Sequence, residues 1–180
     1  DFYYENDIFQ FVIDFFVNNP KIDMLYGGMV YVDEANKPQH IRIPPKFNRE
    51  FLEMISYIGN TNAFFRRTVI EKYKLDEHCH YVIDHEFMLS VTNEFAAQNT
   101  NKILACFRVH DKAKTQTLSN SFKDKERQYR DTKHKIKRNT LFKIKQVLYR
   151  IRYKLFLYYT DFVYLKKIRN NPPFLSFVAK

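Results

Sequence analysis

The 180-residue sequence predicts an α/β body followed by a basic, helical extension. Three observations lead there. Over residues 1–110, apolar residues at helical spacing alternate with short β-branched and aromatic runs. Charge is divided along the chain: residues 1–110 carry 11 Lys and Arg against 15 Asp and Glu, whereas residues 111–180 carry 19 against 5. From Leu141 onward, apolar residues recur at three- and four-residue steps among lysines and arginines.

The body reads element by element. Residues 5–18 place Ile8, Phe9, Val12, Phe15 and Phe16 at helical spacing, and Asn19-Pro20 stops that helix. Met24–Val32 predicts a buried strand, with Gly27 and Gly28 allowing close approach to the backbone. Residues 33–37 form a turn, and His40–Ile43 a short return strand ended by Pro44-Pro45. Phe47–Tyr57 predicts a short helix with Asn48 as its cap, and Asn62–Phe65 a short strand. Thr68 is the expected cap of a helix through Tyr73. A loop over Asp76–Tyr81 leads to an amphipathic helix over Asp84–Gln98, and Lys102–Val109 predicts a strand. Residues 119–139 are almost wholly polar and read as a solvated helix or a linker. The divisions are therefore 1–115 for the body, 116–140 for the polar segment and 141–180 for the basic amphipathic extension.

Composition excludes several classes. Hydrophobic residues make up 45%, enough for a core. Three glycines cannot spell GxGxxG or GxxxxGK[ST], so the common phosphate-binding loops are absent. Cys79 and Cys106 make neither a disulfide scaffold nor a four-cysteine zinc site. No apolar run reaches the ~20 residues of a membrane span; the nearest, 141–168, is interrupted by Lys and Arg. The chain opens on Asp1 rather than Met, and it is expected to be a piece of a longer protein.

Chemistry concentrates in His78–Glu86, which holds three histidines, a cysteine and two carboxylates. Structural zinc sites space their ligands more widely than His78, Cys79 and His80, and there is no second ligand pair. Asp84 stands at a predicted helix start, where it serves either as an acid–base group or as a cap; spacing does not separate the two. Glu86 falls in the same first turn. His110 follows a predicted strand, a place where α/β proteins present binding groups and also where exposed loop histidines lie. Arg66-Arg67 either holds a phosphate or decorates a helix start.

The order of segments is more specific than any one of them. A helix ending Asn19-Pro20 is followed by a strand with Tyr26-Gly27-Gly28, then by Ile58-Gly59 leading to Phe64-Phe65-Arg66-Arg67. After these come a loop-to-helix Asp84-x-Glu86 and a strand ending Arg108-x-His110. Over residues 1–115 this succession resembles the second half of a family 2 glycosyltransferase of the GT-A (Rossmann-like) fold. The resemblance implies transfer of a sugar from a nucleotide-diphosphate sugar to an acceptor hydroxyl with inversion, in cell-envelope or surface polysaccharide or glycolipid synthesis. It implies that Asp84 is the catalytic base, and that Asp1 and His110 are ligands of Mg²⁺ or Mn²⁺. Gly27 and Gly28 would line the substrate pocket, and Asn60, Glu86 and Arg108 would join the substrate-binding set. Ser90 replaces an Arg and Thr61 a Pro that are frequent in the family. The family's nucleotide-binding half is not represented, so this chain alone is expected to be inactive.

The extension at 141–168 fits three partners: the body itself, a second chain, or an anionic membrane surface. The acceptor is expected to be a glycan or a lipid-linked sugar, and the site cytoplasmic, peripheral at the inner face of the membrane. The alternative function is a basic, aromatic nucleic-acid-binding module, which accounts for the extension but not for the ordered body.

Overall fold

The structure, a computed structural model, describes residues 2–110, 118–166 and 168. Its centre is a five-stranded mixed sheet in the order β1 (Phe2–Tyr3), β5 (Ala97–Arg108), β2 (Met24–Val32), β3 (Pro38–Arg42), with β4 (Ala63–Phe65) also paired to β2. Strands β2 and β5 run parallel, from Met24 opposite Ala97 to Val32 opposite Arg108; the other pairings are antiparallel. β2 is covered on both faces, which explains a nearly unbroken apolar strand in place of an alternating one.

The side chains of β2 divide between layers with the period of two that a strand imposes. Leu25 packs with Leu104 and with Ile8 and Val12 of α1 (Ile8–Asn18). Met24 and Tyr26 face the opposite layer, built from α2 (Arg49–Met54), α3 (Arg67–Lys72) and α4 (Ile83–Val91). Asn48 caps α2 as expected, its side-chain oxygen accepting from the Phe51 N–H at 2.8 Å.

Two boundaries differ from the sequence reading for a long-range reason. Helix α4 ends at Val91, well before Gln98, because the chain from Ala97 joins the sheet beside Met24. Arg49 marks the end, donating to the Leu89 carbonyl at 2.6 Å and to Thr92 Oγ1 at 2.8 Å. The residue preceding α3 is Arg66, not Thr68, and no side chain caps that helix. Arg66 instead donates to the carbonyls of Phe16, Asn19 and Ile22, so its guanidinium closes the end of α1 and is spoken for as a phosphate holder. Arg67 is exposed and pairs with Glu71.

The polar segment is a helix, exposed over most of its surface but anchored by two buried side chains. Asn120–Lys133 forms α5, and its Glu126 and Arg130 are buried against the body. The basic extension forms α6 (Thr140–Thr160), followed by a π-helical turn over Asp161–Leu165. Helix α6 lies on the body through Phe142, Tyr149, Tyr153 and Phe156, with Tyr149 and Tyr153 against Phe51 at ring distances of 5.1 and 5.4 Å. Lys145 pairs with Glu50, and Asp161 accepts the Ile41 N–H at 2.6 Å. The heptad residues Leu141, Ile144, Leu148, Ile151, Leu155, Tyr158 and Phe162 point away from this contact and are exposed, whereas the last member, Leu165, packs against the cluster of Val30, Val32, Ile41 and Ile43. Among the described residues no helix is long and apolar enough to cross a membrane.

Candidate active site around Asp84

The loop before α4 is held by the helix that follows the body. Glu126 of α5 accepts the N–H groups of His80 at 2.8 Å, Tyr81 at 2.6 Å and Val82 at 3.0 Å. A carboxylate therefore sits at the N-terminus of α4, where free N–H groups and the helix dipole favour negative charge. The residue at the cap position is Val82, which has no capping side chain.

Asp84 consequently does not cap. It is half-buried in the first turn of α4, and among the described residues its side chain has no hydrogen bond and no ion pair. Burial raises its pKa above the ordinary 3.8. A desolvated, unpaired carboxylate is a stronger base than an exposed one.

Asp76, Glu86 and Asp131 are each engaged by cations. Asp76 accepts from Lys133 at 2.6 Å, from the His78 N–H at 3.0 Å and from Tyr129 at 3.0 Å, and Lys133 leads the causes that hold it well below the usual range. Glu86 is buried, which by itself would raise its pKa; contacts from His134, Lys133 and Ser90 outweigh that and lower it. Lys133 stands at 2.8 Å, His134 at 3.2 Å and Ser90 at 2.8 Å. Glu86 is thus an anchor for α5, and Ser90 is part of that anchor. Asp131 pairs with Arg130 at 2.6 Å and with Arg138.

The three histidines of this stretch diverge. His78 sits beside Asp76, and His80 stacks on Phe122. His85 contacts the Leu52 carbonyl through Nε2 at 2.5 Å and Arg130 through Nδ1 at 2.7 Å. Burial and then the Arg130 charge push its pKa down to about 3, so the ring is neutral, with Nε2 donating and Nδ1 accepting.

The remaining predicted residues are carried by other elements than the helix of Asp84 and Glu86. His110 is exposed just beyond β5, two residues after Arg108. Arg108 donates to Asn36 Oδ1 at 2.6 Å and lies 5.8 Å over the Phe2 ring, at the sheet end shared with β1. No hydrogen bond or ion pair joins Asp84 to either. Asp1 lies outside the described residues.

The space beside both glycines is filled by protein. A Cβ on Gly27 would fall 2.6 Å from Leu104 Cγ and 2.7 Å from the Lys102 carbonyl oxygen; on Gly28 it would fall 2.7 Å from Ile43 Cδ1. Their immediate role is close packing of strands, not room for a ligand. Asn60 is exposed at the tip of its loop, whereas Asn62, which the sequence reading passed over, is buried. Asn62 donates to the Gly27 carbonyl at 2.5 Å and accepts the Gly59 N–H at 3.1 Å, tying that loop to β2.

A cleft of about 1090 Å³ lies elsewhere, between the chain after β3, the start of β5 and α6. Phe47, Phe51, Asn99, Tyr149, Arg152 and Tyr153 line it, and none of the predicted site residues does. Its walls come from three distant segments, so no local motif announces it.

Among the described residues no three His, Cys, Asp or Glu side chains are grouped to hold a metal. Of the pair expected to bind Mg²⁺ or Mn²⁺, His110 alone is described, and one histidine is not a site for a hard divalent cation. Comparison with protein-family models gives no match, and comparison with curated protein sequences gives none either.

Proposed function

We propose that this chain supplies the acceptor side of an inverting glycosyltransferase, with Asp84 as its general base. The observation that carries the reading is the state of Asp84. It is half-buried, raised in pKa and, among the described residues, without a hydrogen bond or ion pair, on a helix start already neutralised by another carboxylate. In the proposed reaction, the Asp84 carboxylate takes the proton of an acceptor hydroxyl as that oxygen attacks the anomeric carbon of the sugar. The bond to the nucleoside diphosphate breaks with its electron pair on the phosphate oxygen, and the configuration inverts. General-base catalysis of this kind contributes about 10²–10⁴-fold. The support from α5 positions the loop and helix that carry Asp84: Glu126 holds the backbone at 80–82, and Arg130 holds His85, the residue next to it.

The test is transfer from a panel of nucleotide-diphosphate sugars by the protein expressed from its whole coding sequence, with and without Asp84→Asn. The variant is expected to lose about two to four orders of magnitude in kcat. It is also expected to be more stable than the parent at neutral pH. A folded-state pKa above the unfolded value means that ionisation of Asp84 opposes folding. That gain should shrink as pH falls through the raised pKa toward and below 3.8, where both states are protonated. Full turnover in a folded Asp84→Asn protein would refute the assignment.

A further inference from the structure

Helix α6 is apolar on two opposite sides. One side, with Phe142, Gln146, Tyr149, Tyr153 and Phe156, covers the body. The other carries the heptad, with Leu148 61% and Phe162 85% exposed, and the further exposed apolar residues Val147 and Tyr159 fall on it as well. Body packing therefore accounts for the first side and leaves the heptad from Leu141 to Phe162 exposed, while Leu165 at its end meets the body.

The charges around the heptad limit what fits it. Lys143, Arg150 and Lys154 recur at seven- and four-residue steps and form one border of the apolar side. Arg152 stands on the other border, where Lys145, seven residues before it, is engaged by Glu50 of the body. Thr140–Thr160 contains no Asp or Glu. The nearest acid on the same helical run, Asp161, is turned to the Ile41 N–H. The side is thus an aliphatic and aromatic stripe with cations along both borders and no acid of its own.

We propose that this side of α6 docks on an anionic lipid surface, lying flat with the heptad in the headgroup–acyl boundary and the flanking cations at the phosphates. A flat amphipathic helix gains from apolar burial and from attraction to anionic lipid together, and its lysines and arginines reach outward along their own stems. At about 1.5 Å per residue, the helix lays roughly 30 Å of stripe on that surface. Tyr158, Tyr159 and Phe162 gather at its C-terminal end, the amphipathic and aromatic content expected at a membrane interface. Two rivals fit less well. A second copy of the helix would bring cationic borders against cationic borders, where coiled coils place opposite charges. A nucleic-acid groove places cations along its floor with stacking rings, whereas the middle of this stripe is Leu148, Ile151 and Leu155.

The experiment uses the full chain and co-flotation with vesicles of phosphatidylcholine alone or mixed with phosphatidylglycerol. The chain is expected to float with the anionic vesicles, and to be released as salt is raised. Leu148→Glu with Ile151→Glu should abolish flotation; both residues are exposed, and unchanged far-ultraviolet circular dichroism will show that the variant is folded. Lys143→Gln, Arg150→Gln and Lys154→Gln should each weaken binding roughly fivefold. The chain has no tryptophan, so Phe162→Trp gives a single reporter, whose emission brominated phosphatidylcholine in the anionic vesicles should quench. Three results would overturn the proposal. One is absence of flotation with anionic vesicles. Another is flotation that Leu148→Glu with Ile151→Glu leaves intact. The last is a lipid-free dimer, or an oligonucleotide complex, that those substitutions dissolve while vesicles fail to bind.

Discussion

Glu126 offers the sharpest test of how the body and the polar segment are joined. Its carboxylate takes three backbone N–H groups, at 2.8, 2.6 and 3.0 Å, and the side chain is 6% exposed. Glu126→Ala leaves all three without that acceptor. The N–H of Val82 is buried and bears a full desolvation cost of about 2–3 kcal/mol, whereas those of His80 and Tyr81 are partly open to water and cost about 1 kcal/mol each. Returning the carboxylate's own desolvation offsets part of this, so the expected net loss is about 3 kcal/mol. Glu126→Gln keeps one oxygen, enough for Tyr81 and Val82, but removes the charge and sets an NH2 against the His80 N–H, for about 1.5–2 kcal/mol. Urea unfolding reads both: with a slope of about 1–3 kcal/mol/M, the alanine variant should lower the midpoint by roughly 1–3 M. Hydrogen exchange gives a local check, since the amides of residues 80–82 should lose protection in Glu126→Ala. A loss under about 0.5 kcal/mol with an unchanged slope would mean that α5 does not hold the loop before α4, and the reasoning would fail.

Two further outcomes follow from the same structure. Lys133→Met removes the cation shared by Asp76 and Glu86. It should cost about 2 kcal/mol at neutral pH, below the ~3–5 kcal/mol of a fully buried pair because Lys133 is 39% exposed. Both carboxylates are held below their ordinary values, so the difference from the parent should narrow as pH falls through the carboxylate range; a difference independent of pH would refute the ion-pair account. Gly27→Ala should cost about 2–3 kcal/mol in thermal or urea unfolding, and Gly28→Ala less. The Lys102 carbonyl beside Gly27 is backbone that cannot yield, while Ile43 Cδ1 beside Gly28 is a side-chain tip. The reverse order would contradict the packing described for β2.

Local pattern determined a good part of this protein. Strand β2, the Asn48 cap of α2 and, apart from a start at Ile8 in place of residue 5, helix α1 stand as periodicity and capping rules placed them, because each depends on residues a few positions apart. Asp84 was visible as a carboxylate at a helix start for the same reason. Whether it caps or stands free was decided by Glu126, 44 residues beyond Val82 and inside a stretch whose polarity suggested only solvent. The end of α4 was set by the pairing of Ala97 with Met24, a parallel contact that no window around Gln98 contains. The heptad of α6 shows the division most clearly. Its spacing identified an apolar stripe, but a stripe has no address: the tertiary structure turned Tyr149 and Tyr153 toward Phe51 and left Leu148 and Ile151 facing outward. Amphipathicity is a property of one helix, readable from its own residues, whereas the partner of each face is a property of the surfaces brought near it.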